Sequence, residues 1–209
     1  KAIWDTTYQA SNNKYLSYKL EINRADSQNY STNDKLISKT KNTGTVLTFS
    51  DFYSLTSDML ENESFENYLS NEFGWFLYLN KEQEFKIIIN GNNLNYKDVI
   101  IDSDDETFNI GDYEFKTSYI QWKDKIGDKY FYYFLNNEKK EIHRKHTSFN
   151  NKAINFHHSV YVESVYFDDF NFTKGEYPTL LGKNQSEQTF KDLLSILHEK
   201  LSVKEKQFI

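Results

Sequence analysis

Alternation of apolar and polar positions is the first order in the chain. In YLSYKLEI, Leu16, Tyr18, Leu20 and Ile22 alternate with Tyr15, Ser17, Lys19 and Glu21, a period of two that gives a strand one buried and one wet face. Residues 3 to 8 read as a second strand. Residues 23 to 41 are rich in Ser, Asn, Asp and Lys and have no period, so they read as a loop. A short β-branched strand follows, Gly44-Thr45-Val46-Leu47-Thr48-Phe49, entered through a glycine.

The period then changes. Phe65, Tyr68, Leu69, Phe73, Phe76 and Leu77 recur at spacings of three and four, which predicts a helix over 64–79 laying an aromatic stripe on a sheet. Gly74 inside that helix costs about 1 kcal/mol relative to alanine, which points to a close backbone approach. Trp75 falls off the stripe and is expected at a domain junction. Phe85 to Ile89 reads as a strand turning at Asn90-Gly91, two residues that tolerate positive φ, into a return strand over 93–101.

Asp102 to Glu106 reads as a solvated acidic turn. It is no calcium loop, because Thr107 and Tyr113 stand where glycine and glutamate are needed. The shift in composition there divides the chain into 1–104 and 105–209. Beyond it, YEFKTSYIQWK, KYFYYFLNN and HSVYVESVYF read as strands. Phe190, Leu193, Leu194, Leu197 and Leu201 predict an amphipathic helix over 186–202, with Ser186 as its cap. The fold class is therefore α+β.

Composition narrows the chemistry. Apolar residues make up 38% of the 209 positions, and 17 Phe and 16 Tyr supply the bulk of a core because each ring buries a large area. A net charge of −6 argues against a broad nucleic-acid-binding face, which needs clustered Lys and Arg. The chain has no cysteine, which excludes disulfides, thiolate metal sites and a Cys nucleophile. His143, His146, His157 and His158 lack the frame of a zinc site, and KKEIHRK over 139–145 reads as a strand or turn surface. No apolar run nears the roughly 20 residues of a membrane span, and residues 1–5 form no signal peptide, so a cytoplasmic location is expected. A start without Met, directly in strand-like sequence, leads to the expectation of a piece of a longer protein.

Gly44 and Thr45 opening a strand, then a helix ending in FGWFLYLN, then a strand running into Asn-Gly, resemble the back half of a Bergerat-fold (GHKL) ATP-binding domain. That superfamily includes gyrase, the large heat-shock chaperone, histidine kinases and mismatch-repair ATPases. The segments SFNNKAINFHHSVYVESVYFDDF and LLGKNQSEQTF also look like bacterial proteins described as ATP-binding. The resemblance implies that 1–104 is the C-terminal part of a helix-on-sheet nucleotide domain and 105–209 a transducer-like α+β domain. It further implies that Gly44 lets the backbone approach adenine and that Thr45 hydrogen-bonds the base. The alternative for Gly44 is a turn before a strand. Lys152 and Lys183 are the lysines by type that would reach the γ-phosphate. ATP and Mg2+ would be ligands of the parent protein, with hydrolysis coupled to closure of a homodimer. The catalytic glutamate, adenine-reading motif and phosphate lid would lie upstream, since Asp58, Glu61, Glu63, Glu66 and Glu72 follow the Gly-Thr strand. The piece would then be inactive alone.

A second reading is a non-enzymatic domain of a bacterial defence or surface system, binding a protein or glycan through an aromatic surface drawn from Tyr113, Tyr119, Trp122, Tyr130, Tyr132 and Tyr133, most of which are expected in the core. A free-standing hydrolase has no support from motifs, and Asp168 and Asp169 would point to opposite faces of a strand.

Overall fold

The computed structural model describes residues 1–11, 13–54, 56–61, 63–127, 129–150, 154–170 and 185–209. The chain divides into two compact units, Lys1–Glu61 and Asn62–Ile209. The expected boundary at 104/105 instead falls inside a paired strand. The acidic run there is no turn, because its carboxylates alternate between the two faces of the strand and meet lysines on each.

The first unit is an antiparallel sheet. β1 (Ala2–Gln9) lies between β2 (Tyr15–Asn23) and β5 (Gly44–Phe49), while β3 (Asp26–Thr32) and the two-residue β4 (Leu36–Ile37) both pair with β2. The predicted loop over 23–41 thus contributes two strands. Every residue of β3 is exposed, so the strand has no apolar face to betray it and is held by its pairing with Leu20, Glu21 and Asn23. A five-residue helix, α1 (Ser57–Glu61), closes the unit.

The second unit is a mixed sheet between two helices. α2 (Glu63–Leu79) leads through a small hairpin, β6 (Ile88–Ile89) and β7 (Asn92–Asn93), to the long hairpin β8 (Ile100–Ile110) and β9 (Tyr113–Trp122). β10 (Phe131–Leu135), β11 (Glu141–His146), β12 (His158–Glu163) and α3 (Gln185–Phe208) follow. Strand order is β11-β10-β12-β9-β8. β10 and β12 run parallel and the other neighbours antiparallel. The Asn90-Gly91 turn forms as predicted, both residues at positive φ, but the return strand is only two residues long and gives way to a single helical turn at Tyr96–Val99.

Alternation along the central strands feeds two cores. Phe115, Tyr132, Phe134, Val160 and Val162 face α3 and pack with its Phe190, Leu193, Leu197 and Leu201. Ile120, Trp122, Leu135 and Tyr161 face the other way and pack with Tyr78 and Val99, with Trp75 against them. α2 therefore belongs with the second sheet. Its buried face is Ser70, Gly74, Leu77 and Tyr78, whereas Tyr68, Phe73 and Phe76 of the expected stripe are exposed. Trp75 stacks on Tyr161 at 5.7 Å within this one unit. A Cβ on Gly74 would stand 3.4 Å from the Trp122 ring, so the close approach is real but comes from an indole and not from backbone.

Candidate functional site

Gly44 and Thr45 sit at the start of β5, an outer strand of the first sheet whose six residues are all exposed. Gly44 has φ of +154°, a conformation that favours glycine and accounts for it as the entry to the strand. Thr45 lies opposite Thr6, and the two hydroxyl oxygens are 3.0 Å apart. Neither residue lines any of the clefts described below. Lys152 and Lys183 lie outside the described residues.

The larger feature of this unit is the face to which Thr45 belongs. Register places Trp4 beside Leu20 and Leu47, Tyr8 beside Leu16, Ala2 beside Ile22 and Phe49, and Thr6 beside Tyr18. Residues directly opposite one another share a face, so Trp4, Tyr8, Leu16, Tyr18, Leu20, Leu47 and Phe49 form one apolar surface. The opposite face carries Asp5, Lys19, Glu21, Thr7, Ser17 and Thr48, with Ile3, Tyr15 and Val46 among them. No described residue of Lys1–Glu61 is fully buried; Leu47 is 44% exposed and Phe49 53%, while Trp4, Tyr8, Leu16, Tyr18 and Leu20 are half-buried. A sheet with one apolar face is stable when that face packs on another layer, and the described residues of this unit supply no such layer. At one end of β5, Arg24 lies over the Tyr53 ring and Phe49 meets Phe52.

Three clefts of the second unit differ in character. One, of about 290 Å³, lies between β9, β12 and the end of α3, with Phe156, Leu201 and Phe208 as apolar walls and His158, Gln121, Asp102 and Lys204 as polar ones. The His158 Nδ1–H donates to the Phe156 carbonyl at 2.8 Å, and Nε2 lies 3.0 Å from the Thr147 hydroxyl, which donates to it. Burial holds the imidazole down at about 4, so it is neutral, with both nitrogens committed. It is a core residue and not an acid–base group.

The second cleft, of about 200 Å³, lies on the α2 side. Asp105 accepts from the Lys81 ammonium at 2.5 Å and from the Ser118 hydroxyl at 2.6 Å. Burial works to raise the carboxyl, but these bonds prevail and hold it below its ordinary value. The third cleft, of about 400 Å³, is lined by Lys125, Lys129, Tyr130 and His157 with Asn150, Ile154 and Asn155.

Most of the rings from Tyr113 to Tyr133 lie in the core as expected, and they leave no aromatic face. Tyr119, Trp122, Tyr130 and Tyr132 are buried, and only Tyr113 is exposed. Alternation sends these rings into the two cores, where burial pushes the Tyr132 phenol up to about 12. Asp168 and Asp169 follow a helical turn at Val165–Phe167 and continue no strand. Among the described residues, no group of three or more His, Asp and Glu is placed to hold a metal ion, and no helix is long and apolar enough to cross a membrane. No known protein family matches the chain, and no curated protein matches it.

The apolar face was within reach of sequence reasoning. Its alternation in β1 and β2 is plain, but the addition of Leu47 and Phe49 depends on the β1–β5 pairing. The Tyr130–His157 cleft joins residues 27 positions apart and had no local signal.

Proposed function

We propose that this chain is a non-enzymatic interaction module that self-associates through the apolar face of its first sheet. The observation that carries this reading is the continuous surface of Trp4, Tyr8, Leu16, Tyr18, Leu20, Leu47 and Phe49 on a unit with no fully buried residue among those described. A second copy is the occupant that fits. Two such faces meeting about a two-fold axis make a sandwich with a dry interior. The unit holds as many basic as acidic residues, so the formal charge of −6 belongs to the rest of the chain and does not oppose the approach of two first units.

The area suits a weak, reversible association. Strands of about eight residues at about 3.3 Å each, three abreast at about 4.8 Å, present on the order of 400 Å² per copy, and the pair buries about 800 Å², the size of a weak, transient interface. Sedimentation velocity of the intact chain tests the reading: a reversible dimer at tens of micromolar is expected, reduced to monomer by Leu47→Asp with Phe49→Asp. A monomer at all concentrations up to about 200 μM, or a dimer that persists in the double variant, overturns it.

The second reading keeps the Bergerat resemblance, with Gly44 and Thr45 as the base-contacting pair of a nucleotide site completed by sequence upstream. Open space where a Gly44 side chain would stand and a Thr45 hydroxyl on an exposed strand favour it. Calorimetric titration of magnesium-ATP into the chain, alone and extended upstream, tests it. Binding by the extended chain that weakens in Thr45→Ala supports the assignment, and no binding by either form ends it.

A further inference from the structure

The third cleft of the second unit sets polar and basic groups beside Ile154, which packs on the α3 core. Tyr130 is buried, and its hydroxyl lies 2.6 Å from Nδ1 of His157. A phenol donating to Nδ1 leaves the imidazole proton on Nε2, so the ring offers one N–H donor. Asn150 fixes this arrangement: its Oδ1 accepts from the Tyr130 backbone N–H at 2.8 Å and its Nδ2 donates to the Thr147 carbonyl at 2.6 Å. Its hydrogen-bonding capacity is spent on the wall. Lys125 and Lys129 are exposed at the mouth, and neither takes part in an ion pair among the described residues. No described residue lining the cleft is acidic, although acidic residues outnumber basic ones by 31 to 25 in the chain.

A concave site whose described lining is basic, neutral polar and apolar concentrates its field on an anion. Two ammonium groups and an imidazole N–H make up the donor set of a phosphate site, with the lysines as point charges. The volume of about 400 Å³ lies in the range of small-molecule pockets and exceeds what a lone phosphate fills. We infer that this cleft binds a small phosphate monoester, the phosphate held by Lys125, Lys129 and His157 and the organic part set against Ile154 and the Tyr130 ring. The site is separate from the sheet face proposed for self-association, and monomeric protein serves equally well to test it.

The experiment is calorimetric titration of the intact chain, at fixed ionic strength in chloride, with inorganic phosphate and separately with AMP. Saturable binding of both, tighter for AMP by at least about fivefold, is expected, because the nucleoside adds apolar contact. Lys125→Ala with Lys129→Ala weakens both by about tenfold or more, each lost charge-assisted bond contributing to that loss. His157→Gln weakens them less. A melting temperature of the free double variant equal to that of the unaltered chain shows that the wall is intact. Absence of saturable heat with either ligand overturns the inference, as does equal affinity in the double variant. Phosphate binding with no gain for AMP overturns the assignment to a monoester.

Discussion

His158 shows how a residue type associated with catalysis is used for packing. Its ring lies between Phe156 at 4.7 Å and Tyr130 at 4.6 Å, with one nitrogen donating to a backbone carbonyl and the other accepting from Thr147. Burial is the larger cause of its depressed value of about 4, the neighbouring His157 adding to it against the Phe156 hydrogen bond. An unfolded chain protonates this imidazole near 6.5, whereas the folded one does not until about 4. The stability it contributes is therefore complete above pH 6.5 and is lost as pH falls toward 4, by up to roughly 3 kcal/mol. Urea unfolding at a series of pH values should show this slope in the unaltered protein and a flatter one in His158→Gln. A parallel slope in both would assign the acid sensitivity elsewhere. Gly74 makes a second case. Alanine there gains helix propensity of about 1 kcal/mol, and its Cβ meets Trp122 and Val99 at 3.4 and 3.7 Å, ordinary contact distances. Gly74→Ala is expected to raise stability by about 0.5 kcal/mol, and Gly74→Leu to lower it by more than about 2 kcal/mol through overpacking. The same urea midpoints check both.

The helices show which sequence signals carry element-level information. α3 was legible because Phe190, Leu193, Leu197 and Leu201 keep a helical period and all four are buried. The period places α2 and its Leu77 correctly, but Tyr68, Phe73 and Phe76 stay exposed, and the face against the sheet is Ser70, Gly74, Leu77 and Tyr78. Small side chains there admit the Trp122 indole, and a pattern that scores only apolar residues cannot register room. β8 was hidden for a different reason. Asp104, Asp105 and Glu106 look like turn residues until Lys204, Lys81 and Lys200 are brought to them from positions 24 to 100 residues away. These pairs are partly exposed and the α3 leucines are not, so energy should separate in the same way. Leu197→Ala is expected to cost about 3 kcal/mol by leaving a cavity, and Lys204→Ala less than about 1 kcal/mol. Denaturant titration of the two variants measures both. A lysine variant as damaging as the leucine one would show that the ion pairs position α3 on the sheet.

At the scale of the molecule, the two units differ in how they bury surface. Asn62–Ile209 has two cores, with Trp122, Phe115, Phe134, Phe190 and Leu197 almost wholly inaccessible. Lys1–Glu61 has no fully buried residue among those described, and an open sheet of this size has little to set against the entropy of ordering its chain. The units should therefore unfold separately, the first at lower denaturant. The tryptophans report on each: Trp4 lies in the first sheet, while Trp75 and Trp122 lie in the second unit. In a variant with Trp75→Phe and Trp122→Phe the remaining fluorescence follows β1, and in Trp4→Phe it follows the α2 core. The Trp4 transition is expected at a lower urea midpoint and, if two copies cover each other's sheets, to move upward with protein concentration, as mass action requires for a unit stabilised by dimerisation. The Trp75 and Trp122 transition should not move. Concentration dependence of the Trp4 transition that disappears in Leu47→Asp with Phe49→Asp would tie the stability of the first sheet to its apolar face. A single transition common to all three tryptophans would mean instead that the first unit draws its stability from the second.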